Sequence, residues 1–144
     1  MKLLGVDYGR RRIGVAVSDE TGICIRGCCA IDRKKCNDPL ATLAAIITRE
    51  SPAAIVFGIP LGLHDEETVM SKEVRGFADT LMSEMPVRIP VHFVDESFSS
   101  IKARQLLSFK RKKQRRKKEN IDILAACGII ESFQRQQPCE EQRP

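Results

Sequence analysis

The sequence predicts an α/β domain, a mixed five-stranded sheet in the order β-β-β-α-β-α-β-α with helices on both faces. Three observations predict it. The first thirty or so residues hold short apolar runs divided by tight turns, the pattern of an antiparallel meander. Later apolar runs are uniformly hydrophobic, as strands covered on both faces are, and amphipathic helical stretches separate them. The breaks between elements are short, and neither an internal repeat nor a linker interrupts them, so residues 1–135 form one domain followed by a polar tail, 136–144.

The elements follow in order. Leu3, Leu4 and Val6 form a strand too short for a helix, ended by Asp7-Tyr8-Gly9. Ile13 to Val17 is the returning strand of a hairpin, with Arg10, Arg11 and Arg12 in its turn. Asp19 and Glu20 belong to the next turn, and Ile23 to Ile31 is the third strand. Asp38-Pro39 opens a helix to Glu50, because proline suits a helix-opening position. Ala53 to Phe57 is an interior strand ended by the stiff Gly58-Ile59-Pro60-Leu61-Gly62, and a second helix spans Glu67 to Glu84 behind the acidic Asp65, Glu66 and Glu67. Val91 to Val94 is the fifth strand, running into Asp95-Glu96. Ser97 to Ser108 reads as a short helix, Phe109 to Glu119 as a basic surface segment, and Asn120 to Arg135 as the last helix with Asn120 as its N-cap.

Composition narrows the partners. The formal charge of +5 is local: Lys110 to Lys118 carries eight of the 24 basic residues, leaving 16 against 19 acids elsewhere. With no Trp and one Tyr, nucleic-acid contact rests on charge and not on aromatic platforms. No apolar span approaches the roughly 20 residues of a membrane helix, and the first residues form a strand and not a charged leader, so a cytoplasmic protein with no membrane partner is expected. The six cysteines form no CxxC pair and suit reduced core thiols better than a zinc site.

The chemistry resides in acids. Parallel strands present their carboxyl ends along one edge, where active sites of open α/β sheets collect. Asp7 ends the first strand there, and Gly9 with Gly14 keeps side chains from crowding it. Asp95 and Glu96 end the fifth, and alternation allows at most one of them to face the same side as Asp7. Asp122 stands in helical register with Ala126, Ile129 and Phe133, at the head of the face that packs on the sheet. Carboxylates gathered with no fixed cation beside them repel unless a metal lies between them, and oxygen-only ligation suits Mg2+ or Mn2+. Such ions hydrolyse phosphodiesters without a protein nucleophile.

Gly5-Val-Asp-Tyr-Gly9 with Arg12-Ile-Gly-Val-Ala-Val-Ser-Asp19, Gly58-Ile-Pro-Leu61, Val94-Asp-Glu-Ser-Phe-Ser-Ser100 and Asp122-Ile-Leu-Ala-Ala126 resemble the successive motifs of the YqgF/RuvX family, over about Met1 to Phe133. The resemblance implies an RNase H-like fold and a nuclease, either one maturing the 5′ end of pre-16S ribosomal RNA in ribosome biogenesis or a Holliday junction resolvase acting on branched DNA. It also implies that Asp7, Glu96 and Asp122 are the catalytic residues and metal ligands. Two departures touch substrate contacts: Ser97 stands where the family usually has Arg, and Leu61-Gly-Leu-His-Asp65 replaces an Asn-rich turn.

The basic segment Lys110, Arg111, Lys112, Lys113, Arg115, Arg116, Lys117 and Lys118 immediately precedes the Asp122 helix, so nucleic acid held there would lie beside the acids. Arg10 and Arg12 are further candidate phosphate contacts, and His64 is a loop histidine able to assist proton transfer. The expected partner is a structured rRNA precursor or branched DNA, bound by a monomer or homodimer. A non-catalytic RNA-binding assembly factor would keep the basic segment and tolerate loss of the acids. A phosphotransferase of the actin and sugar-kinase type would need a second lobe.

Overall fold

The computed structural model describes residues 1–61, 64, 66–95 and 118–136. In chain order the elements are β1 (Leu3–Tyr8), β2 (Arg12–Ser18), β3 (Ile25–Asp32), α1 (Pro39–Glu50), β4 (Ala54–Ile59), α2 (Val69–Glu84), β5 (Val91–Asp95) and α3 (Lys118–Gln136). The sheet runs β3-β2-β1-β4-β5, with β1, β4 and β5 parallel to one another and β2 antiparallel to both β1 and β3. This is the mixed sheet the sequence predicts. The short helix expected at 97–108, the basic segment to Lys117 and the tail from 137 lie outside the described residues.

Strand alternation divides the interior into two cores. Leu4, Val6, Tyr8, Ile13, Val15, Ile55, Phe57 and Ile59 point to one face, where Leu43, Ile46 and Ile47 of α1 and Val74, Ala78 and Leu81 of α2 cover them. Leu3, Ala16, Ala54, Val56 and Val94 point to the other, against Ala126, Ile129, Ile130 and Phe133 of α3. The uniformly apolar β4 is buried throughout because both faces are covered.

Local chemistry explains the boundaries. Asp38 caps α1 by accepting from the Ala41 amide at 3.0 Å, with Pro39 just inside the helix. Helix α2 starts later than the acidic residues suggested: Thr68 is its N-cap and Ser71 completes a reciprocal capping box, so Glu66 and Glu67 precede the first turn. Helix α3 starts at Lys118, which places Asn120 inside it and not at its cap. Gly58 and Ile59 continue β4, where the sequence suggested a turn.

Between β2 and β3 the register slips by one residue, with Val15 opposite Cys29 and Ala16 opposite Gly27. The bulge leaves Cys28 unpaired, and both Cys28 and Cys29 pack against the α1 core. Burial and the neighbouring Cys28 push the Cys29 thiol up to about 11. The five described cysteines are free, and Cys24 is exposed and not in the core. Among the described residues no helix is long and apolar enough to cross a membrane.

Candidate active site

The carboxyl ends of β1, β4 and β5 share one rim of the sheet. Asp7 is the penultimate residue of β1 and has the parity of Leu3 and Gly5, so it belongs to the face covered by α3. Its cross-strand partner is Gly14. A Cβ on Gly14 would run into the backbone carbonyl of Asp122 and lie 3.0 Å from the Asp122 Cβ. Helix α3 therefore seats Asp122 directly on the missing side chain of Gly14, beside Asp7, where paired Cα atoms are about 5 Å apart. The same close approach recurs at Gly5, where a Cβ would lie 2.6 Å from the Ala126 carbonyl oxygen. The Asp122 backbone thus lies over the residue that pairs with Asp7, at one rim of the sheet.

A cation is fixed beside Asp122. Arg12 Nε donates to Asp122 Oδ2 at 3.0 Å, with side chains only 18% and 24% exposed. Arg12 is the first residue of β2 and lies on the α3 side by its alternation with Ile13, so it is not the turn residue the sequence suggested. The guanidinium offsets part of the charge that Asp122 brings to the rim. The Arg12 to Asp122 pairing is invisible in spacing, because the two are 110 residues apart.

The other candidates separate. Asp95 pairs with Ile59 in register and so shares the α1 and α2 side, away from Asp7. Glu96 lies outside the described residues, as do Lys110, Arg111, Lys112, Lys113, Arg115, Arg116 and Lys117, whereas Lys118 is the first residue of α3. Arg10 is exposed at the rim, 3.4 Å from Glu73 Oε2. His64 is exposed, and its backbone N–H donates to Glu66 Oε2 at 2.8 Å.

A sequence profile described as RuvX: Holliday junction resolvase matches residues 1–136. The chain belongs to this family. A protein of Maridesulfovibrio salexigens named "Putative pre-16S rRNA nuclease" is 37% identical over 133 residues, 92% of this chain and 97% of that protein. One of the same name from Koribacter versatilis is 33% identical over 143 residues, 99% of this chain and 92% of that protein. Among solved structures, Thermus thermophilus RuvC in complex with a Holliday junction superposes with a TM-score of 0.56 at 14% identity, covering 94% of this chain and 96% of that one. Fowlpox virus resolvase with its junction DNA gives 0.58 at 14% identity, over 94% and 97%. These likenesses show the fold, which is RNase H-like.

In this RuvX-family chain the described rim supplies carboxylate oxygens and no third His, Cys, Asp or Glu that completes a metal-ligating group. Oxygen donors alone fit a hard divalent cation and not zinc. Sequence reasoning missed a second arrangement on the opposite side of the same rim. The Tyr8 hydroxyl donates to Glu73 Oε1 at 2.9 Å, and the Arg33 guanidinium lies 5.0 Å over the Tyr8 ring. Burial raises the Tyr8 pKa, so it stays a neutral donor. Nothing in the sequence links Tyr8 to residues so distant, although its parity against Asp7 does place it on the other face.

Proposed function

We propose that this RuvX-family chain is a nuclease that hydrolyses phosphodiester bonds with Mg2+ or Mn2+, acting in the cytoplasm on the 5′ end of pre-16S rRNA. One observation supports the reading: Gly14 pairs with Asp7 at the carboxyl rim of the sheet, and the Asp122 backbone of α3 is seated over that same glycine. The names of the family's relatives support the task. Asp7, Asp122 and Glu96 are assigned as the ligands; with Asp95 on the other side, alternation favours Glu96 as the third. When bound, the ion supplies Lewis acidity toward a phosphoryl oxygen and lowers the pKa of a coordinated water.

The protein's own groups prepare that site. The β1 to β2 ladder fixes the Asp7 backbone, and Arg12 orients the Asp122 carboxylate, which supports a site preformed before substrate arrives. Arg10 at the exposed rim and the run Lys110 to Lys118 are assigned to substrate phosphates. The second reading is a resolvase acting on branched DNA, favoured by the family's description. Symmetric cutting of two strands would then need a homodimer, whereas RNA trimming suits a monomer.

The test is to incubate the protein with a pre-16S rRNA fragment and with a four-way DNA junction, each with MnCl2 and with EDTA. Manganese-dependent cleavage that Asp7→Asn lowers at least a hundredfold is expected. Cleavage in EDTA, or cleavage surviving Asp7→Asn, overturns the site, and the substrate that is cut decides between the two readings.

A further inference from the structure

Outside 110–118, six of the 16 basic residues fall in two tripeptides, Arg10-Arg11-Arg12 and Arg33-Lys34-Lys35. Strand pairing folds the two together, since Arg12 at the start of β2 pairs with Asp32 at the end of β3. Backbone bonds then lock the turns to each other. The Arg33 amide donates to the Arg11 carbonyl at 2.9 Å, and Arg33 Nη1 donates to the Gly9 carbonyl at 3.1 Å. Within the second turn, the Lys34 amide donates to Asp32 Oδ1 at 3.0 Å, and the Lys35 and Cys36 amides donate to the Asp32 carbonyl at 3.1 and 2.9 Å.

The charges stand outward on this platform. The Arg10 and Arg11 side chains are 69% and 47% exposed, and Lys34 and Lys35 are exposed. Arg10 meets Glu73 at 3.4 Å, an exposed pair that exchanges readily for another anion, and Arg11 meets the half-buried Asp32 at 3.2 Å. Setting aside Arg12, which Asp122 holds, and Arg33, which is turned onto the Tyr8 ring and the Gly9 carbonyl, four outward cations stand beside two acids on a chain that is otherwise net acidic outside 110–118.

We propose that this rim binds the sugar-phosphate backbone of a duplex arm of the substrate, on the β3 side of the Asp7 and Asp122 pair. The inference rests on the nuclease reading and extends it to the shape of the substrate. Among the described residues this rim presents lysine and arginine with no exposed aromatic ring, since the ring of Tyr8 is buried, and so offers phosphate contacts and not a stacking platform. Cations held at fixed spacing by two interlocked turns match the regular phosphates of a double helix better than a flexible single strand. RNA and DNA duplexes share this chemistry.

The test reads binding in EDTA, where no cleavage is needed, by fluorescence anisotropy on three labelled probes: an RNA hairpin, a DNA hairpin of the same sequence and a U-tract of equal length. The wild-type protein is expected to bind the hairpins more tightly than the U-tract. Replacing Lys34→Gln and Lys35→Gln together is expected to lower the slope of log Kd against log salt on the preferred hairpin by about 2, at roughly 0.9 per lost phosphate contact. Neutralising Arg135, at the far end of α3, is expected to leave it unchanged. An unchanged slope on both hairpins with Lys34→Gln and Lys35→Gln overturns the rim, and equal affinity for the U-tract overturns the duplex assignment. A rim-dependent slope without any cleavage of hairpin or junction by the wild type in MnCl2 supports the rim and overturns the nuclease reading alone.

Discussion

Gly14 has only a hydrogen where a side chain would meet the Asp122 backbone, and that space lets an acid at residue 122 reach the neighbour of residue 7. Both acids were legible in the sequence for a physical reason: one ends an apolar strand, and the other heads an apolar helix face, places where a charge needs an explanation. Arg12 was not, since a residue beside a turn reads as solvent-facing until its strand pairing is known. Its guanidinium on Asp122 Oδ2 makes a prediction about metal affinity. Removing the guanidinium with Arg12→Gln leaves Asp122 beside Asp7 with less compensation, so the metal-free protein weakens while a divalent cation gains a better-disposed ligand. In EDTA the variant is expected to melt about 2–4 °C lower, for a loss of about 1 kcal/mol. Addition of MnCl2 should then raise its Tm more than it raises the wild type's, a difference that scanning fluorimetry reads directly; equal increments would show that Arg12 does not compete for the carboxylate.

At the level of elements, periodicity carried most of the information. The 3.6-residue repeat placed Ala126, Ile129 and Phe133 below Asp122, and strand alternation separated Asp95 from Glu96. Helix starts were less legible because capping depends on which hydroxyl reaches which amide. The acids before α2 suggested a first turn, yet the reciprocal cap is made by Thr68 and Ser71, at 3.0 Å from the Ser71 amide and 2.8 Å from the Thr68 amide. Glu67 instead accepts from the Ser71 hydroxyl at 2.6 Å and from Arg75 Nε at 2.9 Å, and these bonds hold its carboxyl below the ordinary range. Thr68→Ala is therefore expected to cost about 1 kcal/mol, a Tm drop of about 2–4 °C by calorimetry. The bulge at Cys28 had no sequence signal, since a bulge is a mismatch between two strands and not a property of either.

Across the whole molecule, Glu50 ties the end of α1 to β3 and to the residue before β1, meeting Arg26 at 3.0 Å and Lys2 at 3.2 Å. The hydrogen bond from Arg26, then that from Lys2, lowers its pKa from the ordinary 4.5. A carboxylate depressed in the folded state adds stability that is complete above about pH 4.5 and fades as pH falls through the lower folded value. Urea titrations of wild type and Glu50→Gln should show a shallower acid decline for the variant below pH 4.5 and parallel curves above it. The sheet also separates stability from function. Leu43 of α1 and Ile130 of α3 are both fully buried, one in each core, so Leu43→Ala and Ile130→Ala should each cost about 2–5 kcal/mol. Only the second loosens the helix that carries Asp122, because Ile130 packs where a Cβ on Gly5 would stand. Small misplacements of a catalytic group are costly, so at a temperature where both variants remain folded, Ile130→Ala should lose at least about tenfold in cleavage rate while Leu43→Ala keeps it. Equal losses would mean that the acid pair is held by the fold at large and not by the seating of α3 on the glycine-lined strands.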